Sequence, residues 1–281
     1  SPWGGEHDHY DRLGLMLWHH DGWLLPDMGT TGYGAKMHYD YYKNSATHNT
    51  LSVNQTNQPP ANPQVSGWHM DSDALWLDSE VDWGKPPPEL DSHSRVEWDA
   101  TAWRDVRFRR RLLWLEEVLI DLSTVENPHR QQLDWTLHLA AQALDQSGTP
   151  QPFSLSGPLR HMANATMAPL NGCQPRHFAR DGDTVALWLS GDGELWQGVA
   201  PDNPATHDLS YLVIRSHLPQ ARFVCLWDFA NSAPLTEVQV NHTPVGTQIT
   251  FWRGERVTHV TLYDAPGKRP DAIFPFAESG T

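Results

Sequence analysis

The chain has 281 residues, a formal charge of -14 at pH 7 and 39% hydrophobic residues, enough to build one large β domain or two ordinary ones without disulfide staples. Its acidity argues against nucleic acid as a general partner, because that binding depends on clustered Lys and Arg releasing counterions from phosphates. No segment approaches the roughly 18 consecutive apolar residues of a membrane span, so a membrane partner is not expected either.

The first residues, Ser1-Pro2-Trp3, carry no basic-then-apolar leader, and the chain is expected to be either processed or a piece of something longer. Leu13 to His19 and Trp23 to Asp27 flank His20-Asp21-Gly22 and predict a β-hairpin with Gly at the turn. Gly29, Gly32 and Gly34 then mark an irregular loop, and alternation resumes at Thr50 to Val53. A Pro/Asn/Gln stretch, Gln55 to Gln64, is expected on the surface. Strand-like runs follow at Ala74 to Asp78, Val106 to Leu115, Val118 to Leu122 and Leu133 to Leu139, with Glu116-Glu117 turning the second into the third. After a connection from Gln146 to Gly157, more runs appear at Val185 to Leu189, Leu195 to Val199, Tyr211 to Arg215, Phe223 to Trp227, Val238 to Val240, Ile249 to Trp252 and Val257 to Tyr263. No segment sustains an apolar period of 3.6. The pattern predicts an all-β protein, a large antiparallel β-sandwich over residues 1–281, with a subdomain boundary allowed near 146–157.

Several residue groups carry two readings. Arg107, Arg109 and Arg111 share one face of a strand and read as a solvated sheet face, with the rim of an anion-binding groove as the alternative. Cys173 and Cys225 read as buried thiols, or as one disulfide. Trp188, Trp196, Trp227 and Trp252 read as sheet or core residues, since a carbohydrate platform needs two or three exposed on one face. His138 and His259 read as satisfied strand histidines, Asn49 as a local backbone cap, and Arg12 and Lys43 as the cations nearest the histidine-rich start, able to meet a sugar carboxylate or sulfate.

The richest site chemistry lies between Gly4 and Gln58. His7 and His9 are two apart and would leave one face of an extended segment. His9, Asp27 at the end of the hairpin and His48 before the next strand offer two imidazoles and a carboxylate, a donor set suited to a borderline metal with zinc its usual occupant. Against this stand buried histidines bonded to backbone. Tyr33, Tyr39, Tyr41 and Tyr42 beside the glycine loop either contact sugar rings or pack on the sandwich.

Three blocks in this region, GGEHDHYDRL, LLPDMGTTGYG and THNTLSVNQTNQ, resemble the start of the C-terminal domain of heparinase II/III-like polysaccharide lyases, which include glycosaminoglycan lyases and exolytic alginate lyases. The resemblance implies an (α/α) toroid preceding a β-sandwich, with the active site between them; no helical toroid is present in this chain. It implies His9, Asp27 and His48 as ligands of one structural divalent metal, usually zinc, and His7 as a catalytic histidine facing the cleft. Tyr33, Tyr39 and Arg12 become candidate substrate-binding residues. The implied function is the metal-bearing half of an enzyme that cleaves an anionic uronic-acid polysaccharide by β-elimination. Glycosaminoglycan is the first expectation and alginate the second, with a noncatalytic carbohydrate-binding or structural module as the alternative. A bacterial periplasmic or secreted location follows from the resemblance alone.

Overall fold

The computed structural model describes residues 7–72, 74–88, 97–145, 148–150, 157–230 and 232–273. Gly4 to Glu6 of the first block and residues 146–147 and 151–156 of the Gln146 to Gly157 connection lie outside them. A six-stranded sheet has the order β10 (Thr149–Pro150), β11 (Ala163–Leu170), β14 (Gly193–Pro201), β15 (Asp208–Ser216), β8 (Leu133–Leu139), β3 (Leu51–Val53). An eight-stranded sheet has the order β4 (Gln64–Met70), β5 (Ala74–Asp82), β6 (Arg107–Leu115), β7 (Val118–Glu126), β16 (Gln220–Asp228), β13 (Asp183–Gly191), β12 (Gln174–Arg180), β9 (Gln142–Ala143). Every neighbour in both sheets is antiparallel. Strands from before and after the Gln146 to Gly157 connection pair directly, β8 with β15 and β7 with β16.

The two sheets form the predicted sandwich. Its core takes Leu133, Trp135 and Leu137 from one sheet and Phe108, Leu187, Phe223 and Trp227 from the other. Trp135 shows why the layers hold register. It stacks on Phe223 at 6.0 Å and donates its indole N–H to Ser123 Oγ at 3.0 Å, so its apolar body and polar tip are both satisfied across the core.

A third layer was not anticipated. β17 (Glu237–Thr243), β18 (Gly246–Arg253), β19 (Arg256–Tyr263) and β20 (Asp271–Ile273) make a four-stranded sheet that packs Ile249, Phe251, Val260 and Leu262 against Leu113, Ile120, Leu122 and Leu226 on the outer face of the eight-stranded sheet. This corrects the arginine reading. The third sheet covers that face, so Arg109 and Arg111 are 7% and 1% exposed. Arg109 is held by Asp78 through two 2.7 Å hydrogen bonds, and Arg111 lies 3.3 Å from Asp264. Arg107 at the rim remains exposed. Arg110 points the other way, into the main core, where it pairs with Asp121 at 2.5 Å and donates to the backbone oxygens of Leu13 and Asn49. The arginine-rich strand therefore braces its neighbours on both faces.

Strands β4, β9, β10, β11, β12 and β20 have no counterpart in the predicted runs. Cys225 is fully buried and Cys173 partly so, both as free thiols, with burial pushing the Cys173 thiol up to about 12. No helix among the described residues is long and apolar enough to cross a membrane.

Candidate functional site

The segment from His7 to Gln58 sends its hairpin leucines into the main core, packs its Met28 to Ala46 stretch against the six-stranded sheet and ends in β3 of that sheet and the turn after it. Its hairpin is shorter than predicted, β1 (Leu17–His19) and β2 (Gly22–Leu25), because Leu13 takes a positive φ of 57° and Gly14 closes a turn on the Asp11 carbonyl at 2.7 Å. Met28, Tyr41, Tyr42 and Ala46 pack on Leu209, Tyr211 and Val213 of the sheet. Between these anchors the chain buries an unusual run of polar residues: Lys43, Asn44, Ser45, Thr47, His48, Asn49 and Thr50 are each 5% exposed or less. Such a run survives burial only when its polar groups find partners, and most do here; the exception is His48 Nε2, which is buried without a hydrogen-bond partner. Ser45 Oγ donates to Tyr10 O at 2.5 Å, Thr47 Oγ1 to Asn44 O at 2.7 Å and Thr50 Oγ1 to Arg12 O at 2.6 Å.

Asn49 is more than a local cap. Its amide donates to Leu15 O at 2.9 Å and Pro26 O at 3.1 Å, and its Oδ1 accepts the backbone N–H of His138 at 2.6 Å. It therefore ties both feet of the hairpin to β8, immediately beside His48. Pro26 leads directly into Asp27, whose Oδ1 accepts the N–H of Gly29 at 2.6 Å. Gly29 has φ of 55°, a left-handed conformation that glycine adopts without strain, so the loop turns back at once over the carboxylate.

Donor atoms of His9, Asp27 and His48 all lie within 4.8 Å of one another. Asp27 Oδ2 is 3.2 Å from His48 Nδ1, and the rings of His9 and His48 have centroids 5.2 Å apart. Two nitrogen or oxygen ligands at zinc bond lengths are about 3.3 Å apart along a tetrahedral edge, so the Asp27–His48 spacing suits a shared ion as well as it suits a shared proton. The charges fit too. Burial, helped by His48, holds the His9 imidazole down at about 4, which leaves it an unprotonated donor near neutral pH. Burial alone would raise the Asp27 carboxyl, yet the His48 ring, the Gly29 amide and His9 hold it well below the usual carboxylate range. Burial opposes protonation of His48, and Asp27 and Asp11 overcome it, raising its pKa. A divalent ion would take the place of the proton between Asp27 and His48.

His7 does not join this cluster, and residues 8 and 9 are irregular rather than extended strand. His7 is exposed and shares a 2.6 Å hydrogen bond with Tyr33 Oη. Tyr33 is 49% exposed and stands edge-on to His38, 5.1 Å away. His38, which sequence patterning did not single out, is 2% exposed, hydrogen-bonds Thr30 Oγ1 at 2.9 Å and lies 6.2 Å from the His9 ring and 4.6 Å from that of Tyr39. It opens a π-helical turn, His38–Tyr42, a geometry that recurs at functional sites; a single histidine in an aromatic run carries no sequence signal of that turn. Tyr39 is half-buried, with Lys43 Nζ 5.9 Å from its ring. Arg12 and Lys43 are both buried, at 5% and 0% exposure. The Arg12 guanidinium pairs with Asp8, and its backbone N–H donates to Gln58 Oε1 at 2.6 Å.

The sequence matches the family described as heparinase II/III-like, C-terminal, over residues 1–224. The chain belongs to that family. Among solved structures, this heparinase II/III-like domain is similar to one titled "Heparinase III-BT4657 gene product", with TM-score 0.60 and 11% identity, covering 93% of this chain and 38% of that one. It is also similar to heparan sulfate lyase HepC from Pedobacter heparinus, with TM-score 0.56 and 12% identity over 98% of this chain and 38% of that one. At such identities the likeness speaks for the β-sandwich fold, and this chain spans little more than a third of those proteins. A comparison with curated proteins finds no match.

Proposed function

We propose that this heparinase II/III-like domain is the metal-bearing β-sandwich half of a polysaccharide lyase that cleaves uronic-acid-containing glycosaminoglycan by β-elimination. It works with an (α/α) toroid domain or chain, in the periplasm or outside the cell. The observation that carries the reading is the convergence of His9, Asp27 and His48, joined through the His38 ring to the exposed His7–Tyr33 pair. Residues separated by up to 41 positions are gathered beside an exposed surface, where a second domain would close a cleft.

In this reading His9, Asp27 and His48 hold one divalent ion of the zinc class, which supplies no chemistry to the substrate and fastens the hairpin foot, the glycine loop and the start of β3 to one another. The chain's own residues supply part of the cleft. β-Elimination moves the proton at C5 of the uronate to a base, forms the C4–C5 double bond from that electron pair, and breaks the C4–O4 bond as O4 takes a proton. The C5 proton is acidic enough only when the neighbouring carboxylate is neutralised by donors. His7, oriented by Tyr33, donates to that carboxylate or shares in the proton transfer, and Tyr33 and Tyr39 contact the sugar. Arg12, turned inward onto Asp8, is left out of the substrate set and supports the segment instead. Alginate is the second substrate class.

The test is to join the chain to its toroid, supply heparin, heparan sulfate, hyaluronan or alginate, and follow ultraviolet absorbance of the unsaturated uronate. Turnover that falls in His7→Ala supports the reading. Absence of product on every uronic substrate sinks it in favour of a noncatalytic module.

A further inference from the structure

The β1–β2 hairpin carries a feature that the metal cluster and the His7–Tyr33 pair do not use. Trp18 and Trp23 are directly opposite in its register and stand edge-to-face, 5.1 Å apart at 84°. They are 54% and 42% exposed, and Met16 beside them is 48% exposed. Large aromatic side chains left in solvent on a strand ribbon are costly unless something covers them.

The hairpin is not a loose flap. Leu17, Leu24 and Leu25 are buried in the main core. The Arg180 guanidinium donates to Gly22 O at 3.2 Å and to His19 O at 3.4 Å, clamping the turn. The His19 ring packs on Phe229 at 4.6 Å, and Ala140 N–H donates to Leu24 O at 2.9 Å. Trp18 spends its indole N–H on His20 O at 2.7 Å. The hairpin backbone and the Trp18 ring are thus held before any ligand arrives, with Trp23 edge-on against that ring, and what Trp18 still offers is its π-face.

On their own these side chains are too small a patch for a stable protein interface. With about 150–250 Å² per large side chain, the exposed parts of Met16, Trp18 and Trp23 amount to about 300 Å². A stable protein interface needs roughly 800 Å² on each partner. A pyranose ring laid on an indole face needs far less, and its C–H groups suit the negative face of the ring. Position points the same way. Trp23 is four residues before Asp27, and at about 3.3 Å per extended residue it stands on the order of 13 Å along the chain from the metal cluster, within reach of a short oligosaccharide that begins at His7 and Tyr33.

We infer that Trp18 and Trp23 form a distal sugar-stacking subsite, which holds a residue of the polysaccharide several units away from the bond that is cleaved. This rests on the lyase reading for its substrate class. The subsite selects for length: a long oligosaccharide spans both regions, and a disaccharide at the reacting end does not touch it.

The experiment titrates the 281-residue chain with a heparin-derived hexasaccharide and, separately, a disaccharide, by calorimetry. The expected result is that Trp18→Ala and Trp23→Ala each weaken hexasaccharide binding about tenfold. Disaccharide binding, metal content and the far-ultraviolet spectrum should stay unchanged. Trp23→Phe, which keeps a ring, should retain most of the affinity and guards against a folding artefact. Wild-type affinity for the hexasaccharide in both alanine variants overturns the subsite and leaves the lyase reading standing. Failure of the wild-type chain to bind the hexasaccharide overturns the subsite, while the lyase reading is decided separately by turnover of the chain joined to its toroid. Unchanged sugar binding with loss of self-association or of a protein partner assigns the patch to protein contact, which also overturns the subsite.

Discussion

His138 gives the sharpest test of how the site segment is supported. It lies in β8 with 0% exposure, stacks on Tyr211 at 4.0 Å, and its Nε2 is 3.4 Å from Tyr41 Oη. Burial, with a smaller contribution from His48, lowers its pKa from 6.5 to about 3. The folded protein keeps this ring neutral, whereas the unfolded chain takes up a proton below pH 6.5. Stability is therefore fully present above that pH and is lost as pH falls toward 3, the unfolded state binding the extra proton throughout. Between pH 7.5 and 5 the loss from this group is about 1.5 pH units, or about 2 kcal/mol, roughly a thirtyfold change in the folding equilibrium. The assay is urea unfolding in the presence of a chelator, followed by tryptophan fluorescence, at the two pH values for wild type and His138→Gln. Other titrating groups contribute equally to both proteins and cancel in the difference. Wild type should lose about 2 kcal/mol more than the variant over this interval. Equal losses would show that His138 is hydrated or protonated in the fold and would refute the packing described for it.

Elemental analysis of the native chain should find about one zinc-class ion, absent in His9→Ala and Asp27→Ala; a metal-free native protein refutes the proposed ligand set. Asp121→Ala strands the Arg110 guanidinium in the core and should cost about 3–5 kcal/mol in chemical denaturation, with a loss below about 1 kcal/mol marking the pair as hydrated. A Cβ at residue 193 would collide with the carbonyl oxygen of Arg215 in the neighbouring strand, so Gly193→Ala should destabilise by about 1–3 kcal/mol, read as a lower unfolding midpoint. Tyr33→Phe removes the 2.6 Å partner of His7 and should lower turnover of the completed lyase about tenfold or more, while leaving metal content unchanged.

The sandwich was legible where strands alternate cleanly. Leu133 to Leu139 matches β8 residue for residue, and Glu116-Glu117 turns β6 into β7 as expected. The missed strands explain themselves by composition. β11 reads ANATMAPL and β12 reads QPRHFAR; Ala, Asn and Pro suppress the strand signal, and pairing with already formed neighbours supplies what local propensity does not. The third sheet was legible as strands but not as a layer. Nothing local to RFRRR tells that Asp78 and Asp264 will meet its arginines, because charge in a sequence reads as exposure until the partner is known.

The site divides along the same physical line. Spacing alone favoured buried structural histidines over His9, Asp27 and His48 as ligands, and family resemblance made them a set; neither could show the Lys43 to Thr50 run buried with most of its polar groups bonded. That run explains why the ligand segment needs no regular secondary structure. Its side chains bond to backbone from distant parts of the segment, as Thr50 does to Arg12 and Ser45 to Tyr10, while Arg110 reaches through the core to Leu13 and Asn49. A loop held this way is rigid because each polar group would pay desolvation if it moved. An ion at His9, Asp27 and His48 would close the last open edge of the network, beside the exposed His7 and Tyr33. Stripping the ion should therefore loosen the hairpin foot and glycine loop while the two large sheets stay folded, since Arg110, Asn49 and His138 hold their contacts without it.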